Sequence, residues 1–428
     1  MNFVYKNLKE VIAGILFFLF LSLPFNSKAQ DVWDVRDITL KNGLRVLFLE
    51  DHRTDTVTFQ VWYRVGSRNE HFGITGISHL LEHMMFRGTK RYGPGDFWGI
   101  VQRNGGDNNA FTTKDFTTYF ENIASDKVDI LIDLESDRMT NVLLDPELFL
   151  IERNVVTEER RLRTEDDPFS DLLEQVNAIA FKAHPYHFPV IGFMSDLEQI
   201  TRDDVYECYK TYYVPNNAIL VVVGDFKTEE LLPKIKSSFG QIESGEPPPK
   251  VRSNEPPQRG ERRLNLRRSA ELPFVVAGYH TPNFSHPDSF ALDVLSTVLT
   301  NGNSSSLYRS LVYDKQLALY IGGDYSRLSI DPDLIYFYAQ VMPGKSPSEV
   351  ENAIYEEIDK IKKEPISQYE LEKAKNQIES SFVFSQDSLF GKAFLLGQYE
   401  ILGNWKMLKK LYIGNQSSYS GRYYGSCK

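Results

Sequence analysis

Apolar and polar residues alternate through Leu44, Val46 and Phe48, and again through Val57, Phe59, Val61 and Tyr63. A period of two marks strands with one face in a core and one in water. Residues 110–123 read as a hairpin turning near Lys114 and Asp115. Two longer stretches, 126–142 and 146–163, repeat at helical spacing instead, and Asp145-Pro146 opens the second with proline at its first position. A helix over 202–213 then leads to the apolar run 219–223, which predicts a buried strand.

Residues 244–263 hold five prolines and almost nothing apolar, the composition of an extended linker. Beyond it the element order repeats: a strand-like run at 272–279, a loop, then an apolar helix at 290–299. The pattern predicts a duplicated α+β architecture, two homologous domains each made of a mainly antiparallel sheet with helices packed on it. The expected divisions are a leader at 1–29, a first domain at 30–243, the linker at 244–263 and a second domain at 264–428. The first half closes with a helix and a strand, whereas the second closes as GNQSSYSGRYYGSCK, polar and without period. The duplication therefore predicts a second domain lacking its last helix and strand, with a disordered natural tail as the alternative.

Lys6 and Lys9 precede the thirteen-residue apolar run 11–23, which Pro24 ends, and Ser27 and Ala29 place small residues where a signal peptidase reads. This predicts export to the periplasm with cleavage after Ala29. The run falls short of the roughly 20 apolar residues of a membrane span. Two cysteines, Cys208 and Cys427, exclude a disulfide-built protein, and Cys208 reads as a small core residue. A net charge of −10 argues against a nucleic-acid partner.

Candidate chemistry sits at Ser78-His79-Leu80-Leu81-Glu82-His83. On a helix, positions i, i+3 and i+4 share a face, so His79, Glu82 and His83 point the same way. Two imidazoles on adjacent turns can bind one Zn²⁺, and a carboxylate between them can take a proton from a metal-bound water. This is the His-x-x-Glu-His pattern of the inverted zincins. A carboxylate-bridged di-iron site would need two Glu-x-x-His helices, which the chain lacks. A third protein ligand is required. The helix at 146–163 offers Glu147, Glu152, Glu158 and Glu159. Glu152 and Glu159 share a face, and Glu158 is turned about 100° from Glu159. Periodicity does not choose between Glu158 and Glu159.

The spacing from His79-Leu80-Leu81-Glu82-His83 to Glu152-Arg153-Asn154-Val155-Val156-Thr157-Glu158-Glu159 resembles the pitrilysin family, in particular its short members similar to mitochondrial processing peptidase β-subunits. The resemblance runs from about Asp37 to Trp405. It implies a zinc endopeptidase with one Zn²⁺ held by His79, His83 and Glu159, Glu82 as general base and Glu152 supporting the site from behind. Gly106-Asp107-Asn108-Asn109-Ala110-Phe111-Thr112 is similar to the family's substrate-edge segment, which implies that Asn109 and Ala110 lie along an extended peptide. His184 and His187 fall in a loop the family shares and read as packing or capping residues. One departure stands out. The family's Arg-x-x-x-x-Leu-Ala-Tyr segment is matched by residues 311–320, where Tyr313 holds the arginine position and Tyr320 is displaced by one. This implies a homologous partner subunit, or a second copy, that completes the site. The alternative is a non-catalytic scaffold subunit.

Overall fold

The computed structural model describes residues 33–408, so the leader expected at 1–29 and the C-terminal tail lie outside the described residues. The first half is built in the order β1 (Arg36–Thr39), β2 (Arg45–Glu50), β3 (Thr56–Tyr63), α1 (Ile77–Met84), α2 (Asp96–Arg103), β4 (Asp107–Thr112) and β5 (Thr117–Ala124). Helices α3 (Val128–Asn141), α4 (Pro146–Arg160), α5 (Pro168–Ala180), α6 (Met194–Leu197) and α7 (Arg202–Tyr212) follow, then β6 (Ala218–Gly224) and α8 (Thr228–Ser237). The second half runs β7 (Phe274–Thr281), α9 (Ser289–Thr300), β8 (Ala318–Tyr325), β9 (Asp333–Val341), α10 (Pro347–Lys363), α11 (Gln368–Ser385) and α12 (Leu389–Ile401).

The first sheet has the order β1-β2-β6-β3-β5-β4. Its pairings are antiparallel except β2 with β6, which run parallel, with Val46 beside Leu220 and Phe48 beside Val222. Helix α1 turns Ile77, Leu80, Leu81 and Met84 into the core on one face of this sheet. The second sheet, β7-β9-β8, has three strands among the described residues, all antiparallel. The fold is thus α+β, as the pattern predicts.

Strand β3 departs from the half-buried strand its alternation suggests. Thr58, Gln60 and Trp62, on the supposedly wet face, are all buried. Helix α12, more than 300 residues later, covers that face. The Phe394 ring lies tilted 5.3 Å from the Trp62 ring, Gly397 lets the helix backbone close onto the indole, and Arg64 donates to the carbonyls of Glu400 and Ile401 at 3.1 and 3.0 Å.

The exchange is reciprocal. Helix α5 of the first half packs on the second sheet, with Phe169 rings 5.3 Å from Phe274 and 5.0 Å from Tyr338, and Tyr336 donating to Asn177 at 2.7 Å. Each half lends one helix to the other's sheet, so the sheets are not packed independently. The proline-rich stretch forms no helix or strand, and regular structure resumes only at Phe274. It is nevertheless held: Glu255 accepts from the backbone of Lys182, Ala183 and His184, and Arg262 donates to the carbonyls of Ile179 and Ala180.

Candidate metal centre and active site

Helix α1 begins where two backbones touch. Gly76 caps it with φ +87°, and a Cβ there would stand 2.5 Å from the Ile191 carbonyl. Gly192, at φ +83°, faces back so that its own Cβ would meet the Thr75 carbonyl at 2.2 Å. Only glycine satisfies both the left-handed backbone and the contact. Gly76 offers no side chain to cap the helix, and Glu70 does so instead, accepting from the amides of Gly76 and Ser78 at 2.7 and 2.9 Å. Burial pushes the Glu70 carboxyl up to about 7, against those two donors. Asp196 fixes the preceding turn through Gly73 and Thr75.

The helix presents His79 and His83 on one face, their ring centroids 4.8 Å apart. Helix α4 brings Glu159 to them: its Oε2 lies 3.8 Å from His79 Nε2 and 3.4 Å from His83 Nε2. One donor atom from each of the three residues falls within 4.8 Å of the others. Tetrahedral zinc with bonds of about 2.0–2.2 Å holds donors roughly 3.3 Å apart, so the set fits a zinc ion with little adjustment. Glu158, 63% exposed, pairs with Arg161 and not with the histidines. The structure separates the two glutamates that periodicity leaves equivalent.

His83 and Glu159 are each held from behind. Glu152, buried, lies 3.2 Å from His83 Nδ1 and 2.5 Å from Arg87. Arg163 stands 2.7 Å from the other oxygen of Glu159. Burial lowers the basicity of His83, but hydrogen bonds to Glu152 and Glu159 outweigh it and raise its pKa to about 9. His79 is held down to about 4 by burial and by the neighbouring His83 charge. The His83 hydrogen bond keeps Glu159 below the usual carboxylate range. Of the two imidazoles, His83 is the more basic.

Glu82 is buried beside the triad, and that burial raises its pKa. Thr112 on β4 donates to its Oε2 at 2.6 Å. A threonine facing a motif helix from a neighbouring strand leaves no periodic signature, so Thr112 carries no assigned role in the sequence. Strand β4 forms an edge of its sheet. Asn109 and Ala110 on it line the same cavity, of about 1570 Å³, as His79, Glu82, His83 and Glu159. The Ala110 amide is engaged by the Asn109 side chain at 2.9 Å. All residues that line the cavity fall between positions 79 and 191, and the second half contributes none among the described residues. Tyr313 and Tyr320 are exposed, 76% and 53%, and do not line it. His184 accepts from the Tyr186 amide at 3.2 Å and pairs with Asp331, and His187 stacks on Phe72, so neither joins the triad.

The comparisons with known proteins identify the class. Residues 45–192 match the insulinase family (peptidase family M16), and residues 199–378 match the peptidase M16 inactive domain. The zinc protease PqqE of Helicobacter pylori is 35% identical over 395 residues, covering 91% of this chain and 88% of that protein. The crystal structure of a protease from Helicobacter pylori superposes with a TM-score of 0.88 at 34% identity, covering 92% of this chain and 95% of that one. The periplasmic protease PqqL from Escherichia coli shares the fold at 18% identity, with a TM-score of 0.70 over 92% of this chain and 46% of that one. The chain belongs to the M16 peptidase family, that of pitrilysin and insulinase.

Proposed function

We propose that the protein is a zinc-dependent endopeptidase that hydrolyses extended, unstructured peptides. The observation that supports this best is the convergence of His79, His83 and Glu159 around one point, with Glu82 beside it in a cavity edged by an open strand. Relatives carrying the name zinc protease support the same reading. When bound, zinc polarises the scissile carbonyl and acidifies the attacking water. Glu82 takes one proton from that water as its oxygen bonds to the carbonyl carbon. It then gives the proton to the amide nitrogen as the C–N bond breaks, and regains its starting form. Glu152 orients His83 through Nδ1, the usual support for a ligating imidazole. The β4 edge at Asn109 and Ala110 holds the peptide by main-chain bonds, which favours extended substrates over any particular sequence. The Asn109 side chain must leave the Ala110 amide as the peptide arrives.

The exposed Tyr313 and Tyr320, away from the cavity, favour a requirement for a second polypeptide. We assign that role to a homologous subunit or second copy supplying an arginine and a tyrosine, in a periplasmic setting after removal of residues 1–29. The same observation supports a second reading, a scaffold subunit that retains the motif without turnover. Purified full-length chain, loaded with zinc and mixed with homologous subunits from its source, is assayed on unstructured peptides. Chelator-sensitive cleavage that Glu82→Gln abolishes supports the enzyme. Stable association with no gain of cleavage on mixing supports the scaffold.

A further inference from the structure

Behind Glu82 lies a short chain of hydroxyls. Thr112 Oγ1 is 2.6 Å from Glu82 Oε2 and 3.2 Å from Thr117 Oγ1, and Thr117 Oγ1 is 3.0 Å from the Val65 carbonyl. Thr112 and Thr117 are directly opposed across β4 and β5. Thr117 is wholly buried, and its register is fixed by the pairing of β5 with β3. The chain therefore ends on the backbone of buried Val65, two residues past the end of β3.

Each threonine hydroxyl has one hydrogen to give and two lone pairs to receive with. When Glu82 is a carboxylate it can only accept, so the Thr112 hydrogen goes to Glu82, and Thr117 donates to Thr112 or to Val65. When Glu82 carries a proton on Oε2, the order reverses. Glu82 donates to Thr112, Thr112 to Thr117, and Thr117 to the Val65 carbonyl, which satisfies all three contacts at once. A valine at 112 would have the same shape and could do neither. Serine could do both.

Resting on the peptidase reading above, we infer that Thr112 is the positioning residue of the general base, and that Thr117 lets it hold Glu82 in one place both before and after the carboxyl takes a proton. The Val65 carbonyl cannot pass a proton onward, so the chain is a holder and not an exit route. The proton on Glu82 is thereby kept for the leaving amine.

The test compares wild type, Thr112→Val, Thr112→Ser and Thr117→Val, each as full-length zinc-loaded protein with any required partner. Thr112→Val should lower kcat by about ten- to a hundredfold, less than the roughly 10²–10⁴-fold that a positioned acid–base group itself contributes. KM should stay within about threefold, and zinc should remain at one per chain. Thr112→Ser should restore most of kcat, and Thr117→Val should fall between the two. Wild-type kcat in Thr112→Val, no rescue by serine, or loss of zinc alongside activity would overturn the inference. Should the wild type cleave nothing, the peptidase reading fails by itself. Crystal structures of the zinc-loaded wild type and Thr112→Val then decide this inference separately. A displaced Glu82 carboxylate in the variant supports it, and an unmoved one overturns it.

Discussion

Glu152 Oε2 lies 3.2 Å from Nδ1 of His83, so the imidazole is gripped from behind while its Nε2 faces Glu159. A carboxylate in that position selects the tautomer whose Nε2 is free to ligate. Glu152→Ala should weaken zinc binding about ten- to a hundredfold, the usual loss when such an outer partner is removed. Competition against a calibrated chelator measures it. Glu152→Gln, which can still accept from Nδ1, should lose less.

The same contact makes zinc affinity depend on pH. His83 must be neutral to bind, yet without metal it holds its proton up to about 9. Zinc binding below that pH therefore releases one proton, and apparent affinity should rise about tenfold per pH unit between 6 and 8.5. Removing the Glu152 carboxylate removes part of what raises the His83 pKa, so the slope should flatten at lower pH in Glu152→Ala. Proton release can be checked by titration calorimetry in buffers of differing ionisation enthalpy.

Packing between the halves offers a test free of metal. A Cβ on Gly397 would meet Trp62 Cε2 at 2.1 Å, and Trp62 is fully buried against Phe116 and Phe394. Glycine to alanine inside a helix normally stabilises by up to about 1 kcal/mol. Overpacking a closed core costs about 1–3 kcal/mol and should win here. Gly397→Ala should lower the thermal midpoint, and adding Trp62→Phe should recover part of the loss.

The cap on the motif helix should tie stability to metal binding. Glu70 is the carboxylate that meets the Gly76 and Ser78 amides, and it is buried. Glu70→Ala leaves buried amides without a partner, at a cost of about 1–3 kcal/mol. Zinc affinity should fall with it, because His79 begins one residue past the freed amide of Ser78. Chemical denaturation and chelator competition on the same variant measure the two effects.

Much of this was legible along the chain, for reasons of range. His79, Glu82 and His83 lie within one and a half turns of one helix, so their common face follows from helical spacing alone. The start of α4 at Pro146, the β4–β5 hairpin and the buried β6 are likewise local in origin. Periodicity alone could not tell Glu158 from Glu159, because the difference lies in what each meets, Arg161 for one and the histidines for the other. The family resemblance pointed to Glu159. Thr112 had no assigned role because its partner Glu82 is thirty residues away on another element. The wet face assigned to β3 failed because α12 covers it from the far end of the chain. The helix expected over 146–163 ends as α at Arg160 and widens into a π turn at Arg161–Glu165, which local spacing does not foretell.

The most direct measurement is a zinc titration of the wild type, Glu158→Ala and Glu159→Ala at fixed pH. The first two should bind one zinc per chain with closely similar affinity. Glu159→Ala should be weakened more than the roughly hundredfold ceiling for losing an outer partner. Wild-type affinity in Glu159→Ala, above all with loss in Glu158→Ala, would contradict this ligand set.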